Sequence, residues 1–312
     1  MKVWYDKEKL DLTSFISEKF LFLPLYDKAV IDKDNDFKGN NWADDISKTV
    51  VYTSIEDAEY LIYHDKLNEG IGQFIADTVS FNHKPILAFY NSDNTTAISS
   101  ELPDNVFVFR TSFFKSMQTS NELALPAWSE DFGAYSLKEE KKQKPVIGFC
   151  GALTHPSRLA ALNELRENEH TDNNFIVRDL FWGGAIHDKT LRREYIENTV
   201  ESDLILCCRG AGNFSYRLYE CMSMGRIPII IDADTPLPCD DVIEWERFIV
   251  TTVEDVNRNV NSFWHNISPK EYKELQAYAR HVYSTYLSPD GFAKYISEYN
   301  PIGTKEYTKS II

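Results

Sequence analysis

Strand-length apolar runs alternate with windows of helical period along most of this chain. In the first half, residues 60–63 form an apolar run. Ile71, Phe74, Ile75 and Val79 then recur at helical spacing within 70–82. Residues 85–90 form a second run, closed by the turn formers Asn91, Ser92, Asp93 and Asn94, and 106–109 form a third. In the second half the pattern predicts strands over 146–150, 175–177, 204–208 and 227–232, with helices over 157–168, 189–199 and 216–224. This alternation predicts an α/β protein built on doubly wound parallel sheets. Residues 269–299 are helical in character, with Tyr272, Leu275, Tyr278, Ala279 and Val282 on one face. The polar stretch 128–144 ends in the charge run 139–144 and reads as a solvated linker. It places a domain boundary near Lys144, giving a first domain over 1–144, a second over 145–285 and a helical tail over 286–312.

The most informative window is 204–256. An apolar strand leads into Arg209, Gly210, Ala211, Gly212 and Asn213. Ser215 can cap the helix that follows, Gly225 stops it, and a second buried strand comes next. The helix N-terminus of such a βαβ unit sits at the end of a parallel sheet, where free N–H groups and the helix dipole favour an anion. Arg217 falls in the first helical turn, where a cation opposes the dipole, and Glu220 shares its face three residues on. A bound phosphate would explain the arginine. A surface Arg217–Glu220 pair with no ligand is the alternative, and these residues alone leave both open.

The formal charge of −15 argues against nucleic acid and anionic membrane as partners. At 312 residues, 43% of them hydrophobic, the chain is long enough for two packed domains. The five cysteines (Cys150, Cys207, Cys208, Cys221 and Cys239) are odd in number, lack zinc-site spacing, and read as small apolar residues of a reducing compartment. The amino terminus shows no signal-length apolar segment and no run is long enough to span a bilayer, so the expected location is cytoplasmic.

The order Arg209, Gly210, Ser215, Arg217, Leu218, Glu220, Gly225, Ile227, Pro228, Leu237, Pro238, Asp241, Val242, Ile243, Trp245, Phe248 and Val250 resembles the exostosin family, glycosyltransferase family 47. A weaker match extends upstream through 144–151 and Pro156, Ser157 and Arg158, so the resemblance covers roughly the second half of the chain. It implies two facing Rossmann-like domains, the arrangement called GT-B, with the carboxyl-terminal helix crossing back to the first domain. It further implies an inverting enzyme that moves a sugar from a UDP- or GDP-sugar to a glycan acceptor. Animal and plant members of the family usually carry a membrane anchor, and this chain departs from them.

On that reading Arg209 and Arg217 receive the leaving-group charge, helped by N–H groups near Ser215 and by Arg158. Glu220 would accept a ribose diol. Gly151, beside Thr154, would let the donor approach the backbone. Each has an ordinary alternative: a turn glycine, a surface arginine, an ion-pair partner. His64, Asp65 and Asp93 are candidates for the general base of an inverting transfer. No cofactor or metal is expected. Asp232 and Asp234 form an Asp-x-Asp, but they lead into Thr235 and Pro236 and read as a turn. Phe181 and Trp182 could stack on a base or lie in a core. The competing functions are a non-catalytic glycan- or nucleotide-sugar-binding relative, and a sugar-nucleotide epimerase. Sugar, acceptor and oligomeric state are not readable from the sequence.

Overall fold

The computed structural model describes residues 1–6, 50–63, 67–81, 83–90, 93–98, 102–127, 131–133, 135, 137–179 and 188–299. His64, Asp65, Phe181 and Trp182 lie outside the described residues. The chain forms two compact units: Met1–Trp128 together with the chain from Thr285 onward, and Ser129–Ser284.

Unit 1 holds a parallel sheet in the order β2-β1-β3-β4-β5-β6. Its strands are β1 (Lys2–Trp4), β2 (Val51–Tyr52), β3 (Tyr60–Tyr63), β4 (Ile86–Tyr90), β5 (Val106–Arg110) and β6 (Glu122–Ala124), with helix α1 (Leu67–Asp77) between β3 and β4. β4 and β5 are apolar at nearly every position because parallel strands are covered on both faces. Leu61, Ile86, Ala88, Val106 and Val108 pack with Phe74 of α1. At the carboxyl end of β5, buried Arg110 pairs with Glu122 at 2.5 Å. It also donates to the carbonyls of Asn94 and Thr96 at 3.0 and 2.9 Å. These bonds fix the loop after β4, on which Asp93 is exposed.

Unit 2 holds a second parallel sheet, in the order β11-β10-β9-β7-β8. Its elements are β7 (Val146–Ala152), α2 (Pro156–Arg166), β8 (Asp172–Arg178), α3 (Lys189–Glu201), β9 (Leu204–Cys207), α4 (Tyr216–Ser223), β10 (Ile227–Ile231), β11 (Ile249–Thr251), α5 (Val256–Asn266) and α6 (Pro269–Val282). Local chemistry sets the helix starts. His155 caps α2 with Pro156 in its first turn, Asp188 caps α3, and Ser268 with Glu271 forms a capping box on α6. All five cysteines are buried and unpaired with one another.

The stretch read from sequence as a solvated linker instead packs on unit 2. Lys138 exchanges two hydrogen bonds with the buried Gln276 side chain, at 2.9 and 3.1 Å, and Trp264 donates to the Lys142 carbonyl at 3.0 Å. The charge run masked this: Lys144 donates to the Glu169 carbonyl, Lys141 lies over the Trp264 ring, and Glu139 accepts from Lys273. The helical carboxyl-terminal segment is interrupted by a π-helical turn over Tyr283–Leu287. After it, α7 (Pro289–Tyr299) belongs to unit 1, where Phe292 meets Phe109 edge-on at 5.7 Å. Among the described residues, no helix is long and apolar enough to cross a membrane.

Candidate functional site

In unit 2 the chain runs from β7 to β8 on one side and returns to β9 on the other, so β7 and β9 are neighbours whose connections diverge. The carboxyl ends of such a pair leave a crevice, the usual ligand position in an open parallel sheet. β7 leads through Leu153, Thr154 and His155 into α2, and β9 leads through residues 208–215 into α4. These two exits gather Gly151, Thr154, Arg158, Arg209, Ser215 and Arg217.

Arg158 ties the exits together. Its guanidinium donates to the carbonyls of Ala152 at 2.7 Å, Arg209 at 2.9 Å and Cys208 at 3.4 Å. Arg217 is only 7% exposed. It donates to the carbonyls of Cys150 at 2.8 Å and Leu206 at 3.5 Å, and its guanidinium lies 4.3 Å from the Phe149 ring centre. Neither arginine has a carboxylate partner among the described residues. Burial, and then the Arg217 charge, lower the Arg158 pKa to about 10. Buried charges are normally neutralised by a counter-charge. Here one buried and one half-buried guanidinium, Arg217 and Arg158, meet carbonyl oxygens that supply orientation but no counter-charge.

Two further polar atoms point the same way. Ser215 stands at the N-cap of α4, yet its side chain makes no capping bond, and its buried Oγ has no partner. Arg217 Nε is likewise buried without an acceptor. Arg209 is half-buried, with one guanidinium nitrogen donating to the Ala211 carbonyl at 3.2 Å. Buried Asn213 bonds the Asp234 carbonyl and the Thr235 hydroxyl, pinning the loop before α4 to the exit of β10.

Two glycines lie close against the arginine side chains. A Cβ at Gly210 would lie 3.2 Å from the Arg158 guanidinium and 3.4 Å from Thr154 Oγ1. Gly151 has φ +154°, and a Cβ there would lie 2.7 Å from Arg217 Nη2. Gly151→Ala is therefore expected to lower unfolding free energy by about 1–3 kcal/mol, the usual cost of a strained backbone position. Urea unfolding reads this directly, and an unchanged midpoint would contradict the packing described.

Glu220 does not form the pair with Arg217 that stood as the alternative to its ribose role. Its carboxylate accepts from the Tyr195 hydroxyl and, at 3.2 Å, from Arg192, both on α3. Burial, then the Glu220 charge, push the Tyr195 pKa well up, so this phenol stays a donor. The i, i+3 spacing put Arg217 and Glu220 on one helix face but could not show that they reach different neighbours. Asp232 accepts from the Thr235 N–H at 3.3 Å and Asp234 has φ +58°, which makes the Asp-x-Asp a turn. Among the described residues no group of three His, Cys, Asp or Glu side chains could hold a metal ion. The residue that sequence reasoning passed over is His155. Its position before Pro156 marks it as a helix cap.

Fold and site together define a parallel α/β unit with arginines gathered at its switch point. The family described as the RXYLT1 C-terminal domain matches residues 131–252, which span the whole unit 2 sheet and most of the site's surroundings. The Exostosin-1 homolog of Caenorhabditis elegans is 30% identical over 101 residues, 32% of this chain and 26% of that protein. The probable glycosyltransferase At5g03795 of Arabidopsis thaliana is 27% identical over 139 residues, 44% of this chain and 24% of that protein. The chain thus spans about a quarter of the length of these relatives. A solved structure of Anabaena Alr3699/HepE in complex with UDP and glucose aligns with a TM-score of 0.41 at 10% identity, over 96% of this chain and 98% of that one. The carboxyl-side unit is similar in sequence to exostosin-like glycosyltransferases.

Proposed function

We propose that this chain is a glycosyltransferase whose unit 2 holds a nucleotide diphosphate sugar, a UDP- or GDP-sugar, for inverting transfer to a glycan acceptor in surface polysaccharide or glycan synthesis. The observation that carries the proposal is the pair of half-buried Arg158 and buried Arg217 at the β7–β9 switch point, with no carboxylate partner for either among the described residues. Breaking the bond from the anomeric carbon to the diphosphate leaves negative charge on the leaving group. Fixed donors aimed at that charge lower the barrier. Arg158, Arg209 and Arg217, the Ser215 hydroxyl and the N–H groups opening α4 supply them on this reading, so a divalent metal is not needed. Gly151 and Gly210 keep the floor of the site thin, with Thr154 beside it. Glu220 keeps its assignment to the ribose, one turn beyond Arg217, with Tyr195 and Arg192 fixing its carboxylate.

The test is thermal unfolding with UDP, GDP and CMP, followed by product analysis with the corresponding sugars. A nucleotide diphosphate at about 100 times its dissociation constant should stabilise the protein by roughly 2.7 kcal/mol. Arg158→Ala should remove that stabilisation, and a sugar should move to an acceptor glycan. Absence of a shift with every nucleotide would overturn the reading.

A further inference from the structure

We propose that His155 binds the diphosphate as a hydrogen-bond donor through its Nε2–H. The proposal rests on the reading of the switch point as a diphosphate site.

Three observations carry it. First, the tautomer is fixed. The Ser157 backbone N–H donates to His155 Nδ1 at 3.3 Å, and Ser157 Oγ lies 2.8 Å from the same nitrogen. A ring nitrogen that accepts from an N–H carries no proton, so the neutral ring carries its proton on Nε2. Second, Nε2 makes no hydrogen bond among the described residues, and the residue is half-buried. Third, the ring belongs to the arginine cluster. Arg158 lies one helical turn away in α2, and Arg158 reaches the Arg209 carbonyl. Burial, then the charges of Arg209 and Arg158, lower the His155 pKa. Arg209, in the loop after β9, and Arg158, in α2, are the charged groups acting on the ring, and no carboxylate is among them. These effects favour the neutral ring in the unliganded protein, and Nε2–H is a donor in either protonation state. The buried Arg217 Nε, which has no acceptor, independently marks the same exits as a ligand position.

Two substitutions separate capping from binding. Asparagine places an acceptor where Nδ1 sits and is a preferred N-cap, but it has no donor where Nε2 sits. Glutamine reaches the Nε2 position with an amide donor and caps poorly. The protein is titrated with inorganic pyrophosphate and with UDP by calorimetry, and its unfolding midpoint is measured without ligand. His155→Asn should keep the midpoint and weaken both ligands about tenfold, as expected for losing one hydrogen bond to a charged group. His155→Gln should lower the midpoint and retain most of the affinity. Wild-type affinity in His155→Asn, with Arg158→Ala still weakened, would overturn the role of His155 and leave the site intact. Failure of both ligands to bind the unsubstituted protein would overturn the site and this proposal together.

Discussion

Arg217→Ala is expected to abolish nucleotide-dependent stabilisation and to reduce sugar transfer by a factor of about 10²–10³, the scale seen when a single positioned donor to developing charge is removed. The same change acts on the empty protein in two opposing ways. It leaves the Cys150 and Leu206 carbonyls without their donor, which costs about 1–3 kcal/mol. It also removes the Arg217 charge that acts on the half-buried Arg158 guanidinium, which offsets part of that cost. The diagnostic result is therefore a modest loss of stability together with a complete loss of the ligand-induced shift. Arg217→Lys should recover little. The ammonium keeps the charge, but it cannot hold two strand-end carbonyls and a ligand in one plane. Calorimetric titration with UDP, alongside unfolding in urea, separates these effects. A ligand shift preserved in Arg217→Ala would remove this residue from the site.

Asp203→Ala is expected to destabilise unit 2 by about 3–5 kcal/mol, the usual cost of removing one partner from a buried charged network. Asp203 is 0% exposed. It accepts from Lys138 Nζ at 3.0 Å, the Tyr272 hydroxyl at 2.9 Å and the Val146 N–H at 2.8 Å. One carboxylate thus joins the segment before β7, the first residue of β7 and helix α6. Burial lowers the Lys138 pKa more than the neighbouring carboxylate raises it, so removing Asp203 leaves an ammonium with little to hold it charged. Burial also raises the Tyr272 pKa, and Asp203 adds to the rise, keeping the phenol protonated as a donor. Urea unfolding followed by tryptophan fluorescence suits the test, because Trp264 packs on Tyr272 at 5.1 Å. A loss below about 1 kcal/mol, typical of an exposed pair, would show that the network is not the staple described.

The elements that position the site were legible in the sequence because both faces of β9 and β10 are buried. Their apolar runs have no polar interruption, and the loop between them is rich in glycine. The same logic explains what was missed. β8 spans seven residues but reads as three, because Asp172, Asn173 and Asn174 open an edge strand that is partly exposed. α5 presents only Val256, Val260 and Trp264 to the core amid asparagines, too thin a stripe to register as a helix. β1, β2, β6 and β11 are two or three residues long, below the length at which a pattern repeats. Within the site, sequence could name Arg158, Arg209 and Arg217 but not their targets. Whether an arginine meets a carboxylate or a strand-end carbonyl is decided by tertiary packing, and that choice turned Glu220 toward Tyr195. His155 carried a readable signal, a residue able to cap immediately before proline, and only the arginines beside it give the cap a second use.

The account rests most heavily on where a diphosphate settles, and a crystal structure of the protein with UDP reads that position directly. The predicted result places diphosphate oxygens within hydrogen-bond distance of Ser215 Oγ and the guanidinium groups of Arg158 and Arg217, at the carboxyl ends of β7 and β9. A diphosphate seated instead in the cavity of about 510 Å³ lined by Tyr135, Arg192, Arg193 and Glu197, with the switch point unchanged, would contradict it.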